Sequence, residues 1–267
     1  MFRLHKKIKE DTVVSDKLNE GIDYKIFGIM ITGVVLFQFY LNTYKSPDDP
    51  QLNLVVTLAS FITSLIAGIF GFFVARRYWD SEVFGKSYLA LALGFLLNAL
   101  GELVYYMLQQ EGQVPSPSIA DWLFLSFYPL MFYHLAKNIS FFKPTIKKTS
   151  KIFVILMPII VTCVYAFLEY GQEQAADTAF FLGLAYTIGS TVILSVAILG
   201  ALVFRQGVLG VAWLILALGI VLTTVADTWY SYLDLYNLYT DSHPMNLLWY
   251  TGYLVVAYAL YKHRKVI

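Results

Sequence analysis

Charged residues and cysteine are both scarce in this chain of 267 residues. Asp, Glu, Lys and Arg make up 14% of the chain, whereas 58% is hydrophobic and the mean hydropathy is +0.62. About a quarter of the residues of an ordinary soluble domain are charged, so this composition excludes a soluble globular protein and indicates a polytopic membrane protein. The single cysteine, Cys163, lies in an apolar run, and an intramolecular disulfide is excluded.

Sequence motifs for common chemistry are missing as well. The chain has no Cys-x-x-Cys, no His-Glu-x-x-His and no Gly-x-Ser-x-Gly, so a structural zinc site, a metallohydrolase and a serine hydrolase all lack their parts. The 19 Lys and Arg are balanced by 18 Asp and Glu. The chain therefore lacks the excess of positive charge that is typical of proteins that bind nucleic acid. The sequence therefore predicts no enzyme, no cofactor and no nucleic-acid partner.

Eight apolar stretches approach or exceed the roughly 20 residues that a helix needs to cross a bilayer. They lie at 24–43, 51–75, 85–109, 119–142, 150–170, 178–204, 208–232 and 245–262. The expected fold class is therefore all-α, with eight transmembrane helices. The polar leader at 1–22 lacks the short apolar core and the cleavage site of a signal peptide, so we expect the first helix to be retained.

Positive charges are sorted between alternate connections. Eighteen of the 19 Lys and Arg fall in the leader, the second, fourth and sixth connections and the C-terminal tail or at the helix ends that adjoin them, while Lys45 alone falls on the other side. Because Lys and Arg accumulate in cytoplasmic loops, this distribution predicts a multi-pass protein of the cell membrane with both termini in the cytoplasm. The lipid bilayer is thus the first expected partner.

An internal repeat relates the two halves of the chain. Residues 91–108 align without gaps on 216–233, at an offset of 125 residues, and seven of the eighteen positions are identical. Each half contains four spans and enters the membrane from the same side, so the repeats are parallel and related by an axis along the membrane normal. We expect a cytoplasmic leader at 1–22 followed by two four-helix repeats, 23–143 and 144–267.

The repeat places Glu102 opposite Asp227, each in the outer half of an otherwise apolar helix. A charged residue at the centre of a span costs about 2.5–3.5 kcal/mol and usually marks a functional site. Polar side chains accompany both acids at helical spacing; the candidates among them are Asn98, Tyr105, Tyr106 and Tyr230. If the two stripes face each other, the carboxylates share a proton or bind a cation. Alternatively, each acid bonds a tyrosine or an amide of a neighbouring helix.

Further candidates lie along helices four and eight, towards their outer ends. Asp121 follows Ser118 at the spacing of a capping box, which favours a helix-start role, although its place at the outer rim also allows contact with a ligand. Tyr128 and Trp249 belong to a group of aromatic residues on this side. An interfacial aromatic belt is the ordinary explanation, and an aromatic pocket for an organic cation is the alternative.

Part of this region resembles a known family. Residues 117–129, PSIADWLFLSFYP, follow the segment GELVYY at 101–106. This combination resembles the multi-helix membrane sensor modules at the N-termini of prokaryotic histidine kinases and diguanylate cyclases. The similarity is clear over helices three and four, weaker over seven and eight and not evident in the others. Those proteins continue into an output domain, whereas this sequence stops at Ile267, so we expect signalling to need a separate cytoplasmic partner or a fusion to an output domain.

The sequence therefore favours a sensor or ligand-binding module with an outward-facing acidic and aromatic pocket for a proton, a cation or a small organic ligand. A small proton- or cation-coupled transporter is the alternative, but the inner halves of the helices look almost wholly apolar. An integral-membrane lipid enzyme comes third, because paired carboxylates can perform acid–base chemistry but no nucleophile accompanies them. Among the four histidines, His263 is expected in the cytoplasmic tail. A homo-oligomer is compatible with the sequence.

Overall fold

The computed structural model describes residues 23–44, 50–112, 117–141, 146–173, 178–204, 210–236 and 238–265, and within them the chain is all-helical. The helices are α1 (Tyr24–Tyr44), α2 (Pro50–Arg77), α3 (Phe84–Gln110), α4 (Ile119–Phe141), α5 (Lys148–Glu173), α6 (Thr178–Phe204), α7 (Gly210–Leu235) and α8 (Asn246–Lys265). Every boundary lies within three residues of the predicted span, so the predicted helices are confirmed. The leader lies outside the described residues.

Six of these helices, α1, α2, α3, α5, α6 and α7, are long and apolar enough to cross a membrane. Their apolar segments are 20 to 27 residues long, with mean hydropathies of 1.6 to 2.4. Helices α4 and α8 have 23 and 20 residues and carry more polar side chains. At 1.5 Å per residue even α8 is about 30 Å long, the thickness of the hydrocarbon layer. The chain thus has the helices of a membrane-spanning protein.

Six helices form a ring around the core. In order around this ring, α2, α3, α4, α6, α7 and α8 each contact the next, and α8 closes the ring on α2. Helix α5 packs on α6 and helix α1 on α8. The expected repeat pairs each helix of the first half with the helix four places later, so that α2 corresponds to α6, α3 to α7 and α4 to α8. Exchanging each helix for its counterpart converts the pairs α2–α3, α3–α4 and α4–α6 into α6–α7, α7–α8 and α8–α2. All six pairs are in contact, as expected for a parallel repeat, but α1 packs on α8 whereas α5 packs on α6, so the exchange does not extend to these two helices.

Glycines allow the last two helices of the ring to approach closely. A Cβ on Gly219 of α7 would lie 2.8 Å from the carbonyl oxygen of Gly252 of α8, and a Cβ on Gly252 would lie 2.9 Å from the carbonyl oxygen of Gly219. In the first half, Gly94 corresponds to Gly219 and faces the Phe127 ring, at the position of Gly252. The aromatic ring of Phe127 therefore separates α3 from α4, whereas α7 and α8 contact each other through their backbones at the corresponding position.

Candidate functional site

Asp227 of α7 lies among aromatic hydrogen-bond donors at the end of the bundle where α3 and α7 finish and α4 and α8 begin. We name this the acidic end. The opposite end, where α2 and α6 finish and α3 and α7 begin, is named the basic end. Trp249 of α8 donates its indole N–H to Asp227 Oδ1 at 2.8 Å, and the Tyr128 hydroxyl of α4 donates to Oδ2 at 3.2 Å. Each carboxylate oxygen thus has one donor, and the acid joins three helices of the ring.

Glu102 occupies the equivalent position in α3 but lacks equivalent donors. It accepts no hydrogen bond from any residue that the structure describes. Phe124 stands where the second half has Trp249, and its ring, which has no N–H, packs against Gly101. Phe124 therefore accounts for the missing counterpart of the Trp249 bond, while Tyr253, the counterpart of Tyr128, makes no hydrogen bond to Glu102 either.

Tyr253, the repeat equivalent of Tyr128, links the surroundings of the two acids. It interacts electrostatically with both Asp227 and Glu102, and no hydrogen bond joins the two carboxylates directly. Its hydroxyl oxygen accepts a hydrogen bond of 3.2 Å from the amide of Asn98. A change of charge at Glu102 therefore alters its electrostatic interaction with Tyr253, a residue of α8 that also interacts with Asp227.

Asn98 forms a buried polar network one helical turn from Glu102. Its amide also donates to Ser64 Oγ of α2 at 3.1 Å, and Ser64 in turn donates to the carbonyl oxygen of Phe95 at 2.9 Å. Asn98 and Ser64 are 8% and 0% exposed, so these bonds satisfy groups that water cannot reach. The network joins α2, α3 and α8 on the side of the core.

Asp121 begins α4 as the capping-box spacing predicted. Its Oδ2 accepts hydrogen bonds from the backbone N–H of Ser118 at 2.7 Å and from Ser118 Oγ at 2.9 Å, while Ser118 Oγ accepts from the Asp121 N–H at 3.3 Å. Its Oδ1 accepts from the Tyr186 hydroxyl of α6 at 2.9 Å. Both oxygens therefore have partners, and the residue fixes the start of α4 and joins it to α6.

The remaining predicted residues lie closer to the rim, and the structure separates them. Tyr105 and Tyr230 are repeat equivalents that interact electrostatically, and the Tyr230 ring lies 5.6 Å from the Trp249 ring. Tyr106 has no hydrogen bond or ring contact with any described residue. Trp122 is 67% exposed, as in an interfacial belt. Tyr230 therefore lies beside Trp249, the donor to Asp227, and interacts with Tyr105, whereas Tyr106 makes no such contact.

The connection between α7 and α8 contributes residues that the sequence patterns did not single out. Asp241 Oδ2 accepts from the amide of Asn53 at 3.2 Å, and the carbonyl oxygen of Ser242 accepts from Gln38 at 2.6 Å. Tyr239 packs on Tyr230 at 4.9 Å and interacts electrostatically with Glu102. Burial raises the pKa of the Tyr239 hydroxyl, which therefore stays a neutral donor. The connection is thus tied to α1 and α2 beside the acids.

The basic end holds a second polar cluster, and here two expectations were wrong. Helix α8 continues to Lys265, and His263 is 1% exposed instead of lying in a tail. His263 bonds the Tyr88 hydroxyl, and His134 bonds Ser87. The halves of the helices near the basic end, which were expected to be almost wholly apolar, therefore contain buried polar side chains. The signal was present in the sequence, because the offset of 125 residues pairs Tyr88 with Trp213 and Asn138 with His263.

A cavity of about 180 Å³ lies between α5 and α6 near the basic end. It is lined by Thr149, Ser150, Phe153, Val154, Leu199 and Leu202. It lies at the other end of the bundle from the acids. Among the described residues, no group of three or more His, Cys, Asp or Glu is placed to hold a metal ion.

Comparison of the chain with protein-family models, with curated proteins and with solved structures gives no match. The site geometry itself therefore carries the functional argument. At the acidic end it offers one carboxylate with a donor on each oxygen and one carboxylate that has none among the described residues, with a tyrosine between them.

Proposed function

We propose that the chain is an integral-membrane sensor or ligand-binding module in which Glu102 binds a proton, a cation or the cationic group of a small organic ligand. One observation carries the proposal. Two acids at equivalent positions of α3 and α7 have opposite bonding, because Asp227 accepts from Trp249 and Tyr128 whereas Glu102 accepts from no described residue. A carboxylate in a membrane span without hydrogen-bond donors is costly in free energy. A bound proton or cation supplies the compensating positive charge that the protein does not.

The proposal includes eight spans, arranged as two parallel four-helix repeats, with both termini in the cytoplasm of a prokaryotic cell. The exchange of helix pairs around the ring supports the repeat, and the charge distribution supports the orientation. Helix α8 contacts α1, α2 and α7, and residues 255–260 are at most 4% exposed. A helix surrounded by protein needs less apolar surface than one surrounded by lipid, which explains its lower hydropathy.

Binding at Glu102 changes the packing of α8 in the proposed mechanism. A proton or cation there removes or compensates a negative charge beside Tyr253. Tyr253 belongs to α8, the helix whose Trp249 holds Asp227. A ligand shifts the arrangement only as far as its affinities for the two arrangements differ. The basic end of α8 faces the cytoplasm in this orientation, where a separate signalling partner would detect the change.

Thermal unfolding of the detergent-purified protein tests the proposal. The unfolding temperature is measured from pH 4 to 9 and against a panel of inorganic and organic cations. We expect stabilisation of the wild type by at least one condition and its loss in Glu102→Gln. Asp227→Asn is the matched control and should lower the unfolding temperature while keeping the response. An equal response in wild type and Glu102→Gln contradicts the proposal.

A proton- or cation-coupled transporter is the second candidate, and one observation favours it. The polar cluster at the basic end lies on α3, α4, α7 and α8, the same helices that carry the acids and their donors. Buried polar groups therefore occur near both ends of these helices, and one objection to transport is removed. Proteoliposomes loaded with a pH-sensitive dye distinguish the candidates, since Glu102-dependent proton or cation flux supports transport and its absence supports sensing.

A further inference from the structure

A cluster of six buried side chains lies near the basic end of the bundle, away from the acids. We name it the histidine cluster; it consists of Ser87 and Tyr88 of α3, His134 and Asn138 of α4, Trp213 of α7 and His263 of α8. The two imidazoles are 0% and 1% exposed, and the rings of Tyr88 and Trp213 are 2% and 1% exposed. Four ring helices therefore contribute to one site without access to solvent.

One nitrogen of each imidazole in the histidine cluster is occupied. His134 Nδ1 lies 3.1 Å from the carbonyl oxygen and 3.0 Å from the hydroxyl of Ser87. His263 Nδ1 is hydrogen-bonded to the Tyr88 hydroxyl. Asn138 donates to Ser87 Oγ at 2.5 Å and to the carbonyl oxygen of His134 at 2.7 Å. These bonds fix the orientation of both rings.

The other nitrogen of each imidazole lacks a well-formed hydrogen bond. Nε2 of His134, Nε2 of His263, Asn138 Oδ1 and Trp213 Nε1 are all buried without one, although His263 also interacts with the backbone of Ala212. A buried polar atom without a hydrogen bond loses its hydration without compensation, and such atoms are few in a native protein. Four of them in one cluster point to a function beyond packing.

The groups around the two imidazoles include no neutralising acid among the described residues. Tyr88 contacts both rings, and Tyr78, which follows α2 and interacts with Arg77, stacks on Tyr88 at 6.1 Å. Helices α6 and α7 contribute the rings of Phe204 and Trp213, 4.3 Å apart. On α8 itself, the Lys262 ammonium lies over the Tyr258 ring. A proton added to either imidazole therefore brings a buried charge without a counter-ion.

We infer that His134 and His263 form a second proton-binding site, at the basic end of the bundle, and that proton uptake there breaks the link that His263 of α8 makes with Tyr88 of α3. An exposed imidazole takes up a proton near pH 6.5, but burial without a counter-ion opposes the charged form, so uptake here requires a lower pH. The site is neutral and packed at higher pH, whereas at lower pH the charged cluster favours hydration and separation of the helix ends. It is independent of Glu102, so failure of one site leaves the other intact.

The fluorescence of Trp213 provides the test. The Trp213 ring is stacked on His134, with centroids 5.7 Å apart and planes at 13°, so an imidazolium there quenches its emission. The full chain in lipid nanodiscs is titrated from pH 8 to 3. We expect at least a twofold fall in the emission component that Trp213→Phe removes, and loss of that fall in His134→Gln. His263→Gln should shift the midpoint, and Glu102→Gln should leave the fall unchanged.

The outcomes separate the proposal from its alternatives. A Trp213 component that stays constant from pH 8 to 3, or falls equally in His134→Gln, overturns it. If the signal responds at pH 7.5 to Zn²⁺ or Ni²⁺ but not to pH, the cluster binds metal and the proposal is wrong. Histidine-selective NMR of the wild type keeps the test valid where a variant misfolds: with four histidines in the chain, two slowly exchanging imidazoles that titrate together support it, and none contradicts it.

Discussion

The crossing of α7 and α8 at Gly219 and Gly252 gives the most quantitative expectation for stability. Replacing Gly219 by Ala places a Cβ 2.6 Å from the Val256 side chain and 2.8 Å from the carbonyl oxygen of Gly252. Backbone atoms cannot rotate out of the way as a flexible side chain can, so the two helices must separate. Overpacking of this kind costs about 1–3 kcal/mol.

Gly200→Ala is the matched control in the same kind of helix. A Cβ there lies 3.5 Å from Ile139 Cδ1, which is an ordinary van der Waals distance. Alanine is favoured over glycine in a helix by up to about 1 kcal/mol, so this variant should be neutral or slightly more stable than wild type. Because both variants gain the same helix propensity, they should differ by the overpacking cost alone, about 1–3 kcal/mol.

Reversible unfolding in a titration with sodium dodecyl sulfate, followed by circular dichroism, measures this difference. Because Gly252 immediately precedes Tyr253 and follows Trp249 by three residues, opening the crossing should also weaken the cation response. Equal unfolding free energies for Gly219→Ala and Gly200→Ala would refute the close backbone contact and the position of α8 derived from it.

Two further stability predictions concern side-chain hydrogen bonds and use the same titration. Trp249→Phe removes the shorter bond to Asp227 and should lower the unfolding free energy by about 0.5–2 kcal/mol, more than Tyr128→Phe, whose bond is longer; the reverse order would mean that the indole does not hold the acid. Ser118→Ala removes the α4 cap at a cost of about 1 kcal/mol, whereas Ser126→Ala, which removes bonds only to carbonyls of its own helix, should cost less. Equal losses would contradict the capping role.

Features encoded within a few residues were predictable from the sequence. The eight helices follow from apolar runs of about 20 residues, six of which are apolar enough to cross a membrane, and the start of α4 follows from Ser118 and Asp121, three positions apart in one helical turn. Both depend on local spacing alone. The alignment of 91–108 on 216–233 added long-range information, because it paired Glu102 with Asp227 before any contact was known.

The different bonding of the two acids was beyond sequence reasoning. It depends on which faces α4 and α8 turn towards α7, and the near-uniform hydrophobicity of these helices leaves that rotation undetermined. Only the structure shows that Trp249 reaches Asp227. Once this contact is known, Phe124 at the equivalent position accounts for the missing donor at Glu102.

The histidine cluster was missed for a different reason. His134 and His263 are 129 residues apart, a spacing that no motif describes, and His263 lies two residues from the end of α8. A predicted helix that stopped at 262 left it outside the bundle. Extending α8 by one turn and applying the repeat offset to Asn138 would have placed it beside Tyr88 and Trp213.

Infrared titration of the carboxyl groups tests the central claim most directly. Protonated carboxyl groups absorb separately from carboxylates, so the full chain in nanodiscs can be titrated while the two variants Glu102→Gln and Asp227→Asn assign the bands. We predict that the carboxyl band that responds to pH and to a stabilising cation is absent from Glu102→Gln and present in Asp227→Asn. A responding band that persists in Glu102→Gln and disappears in Asp227→Asn would contradict the assignment of Glu102 as the binding group.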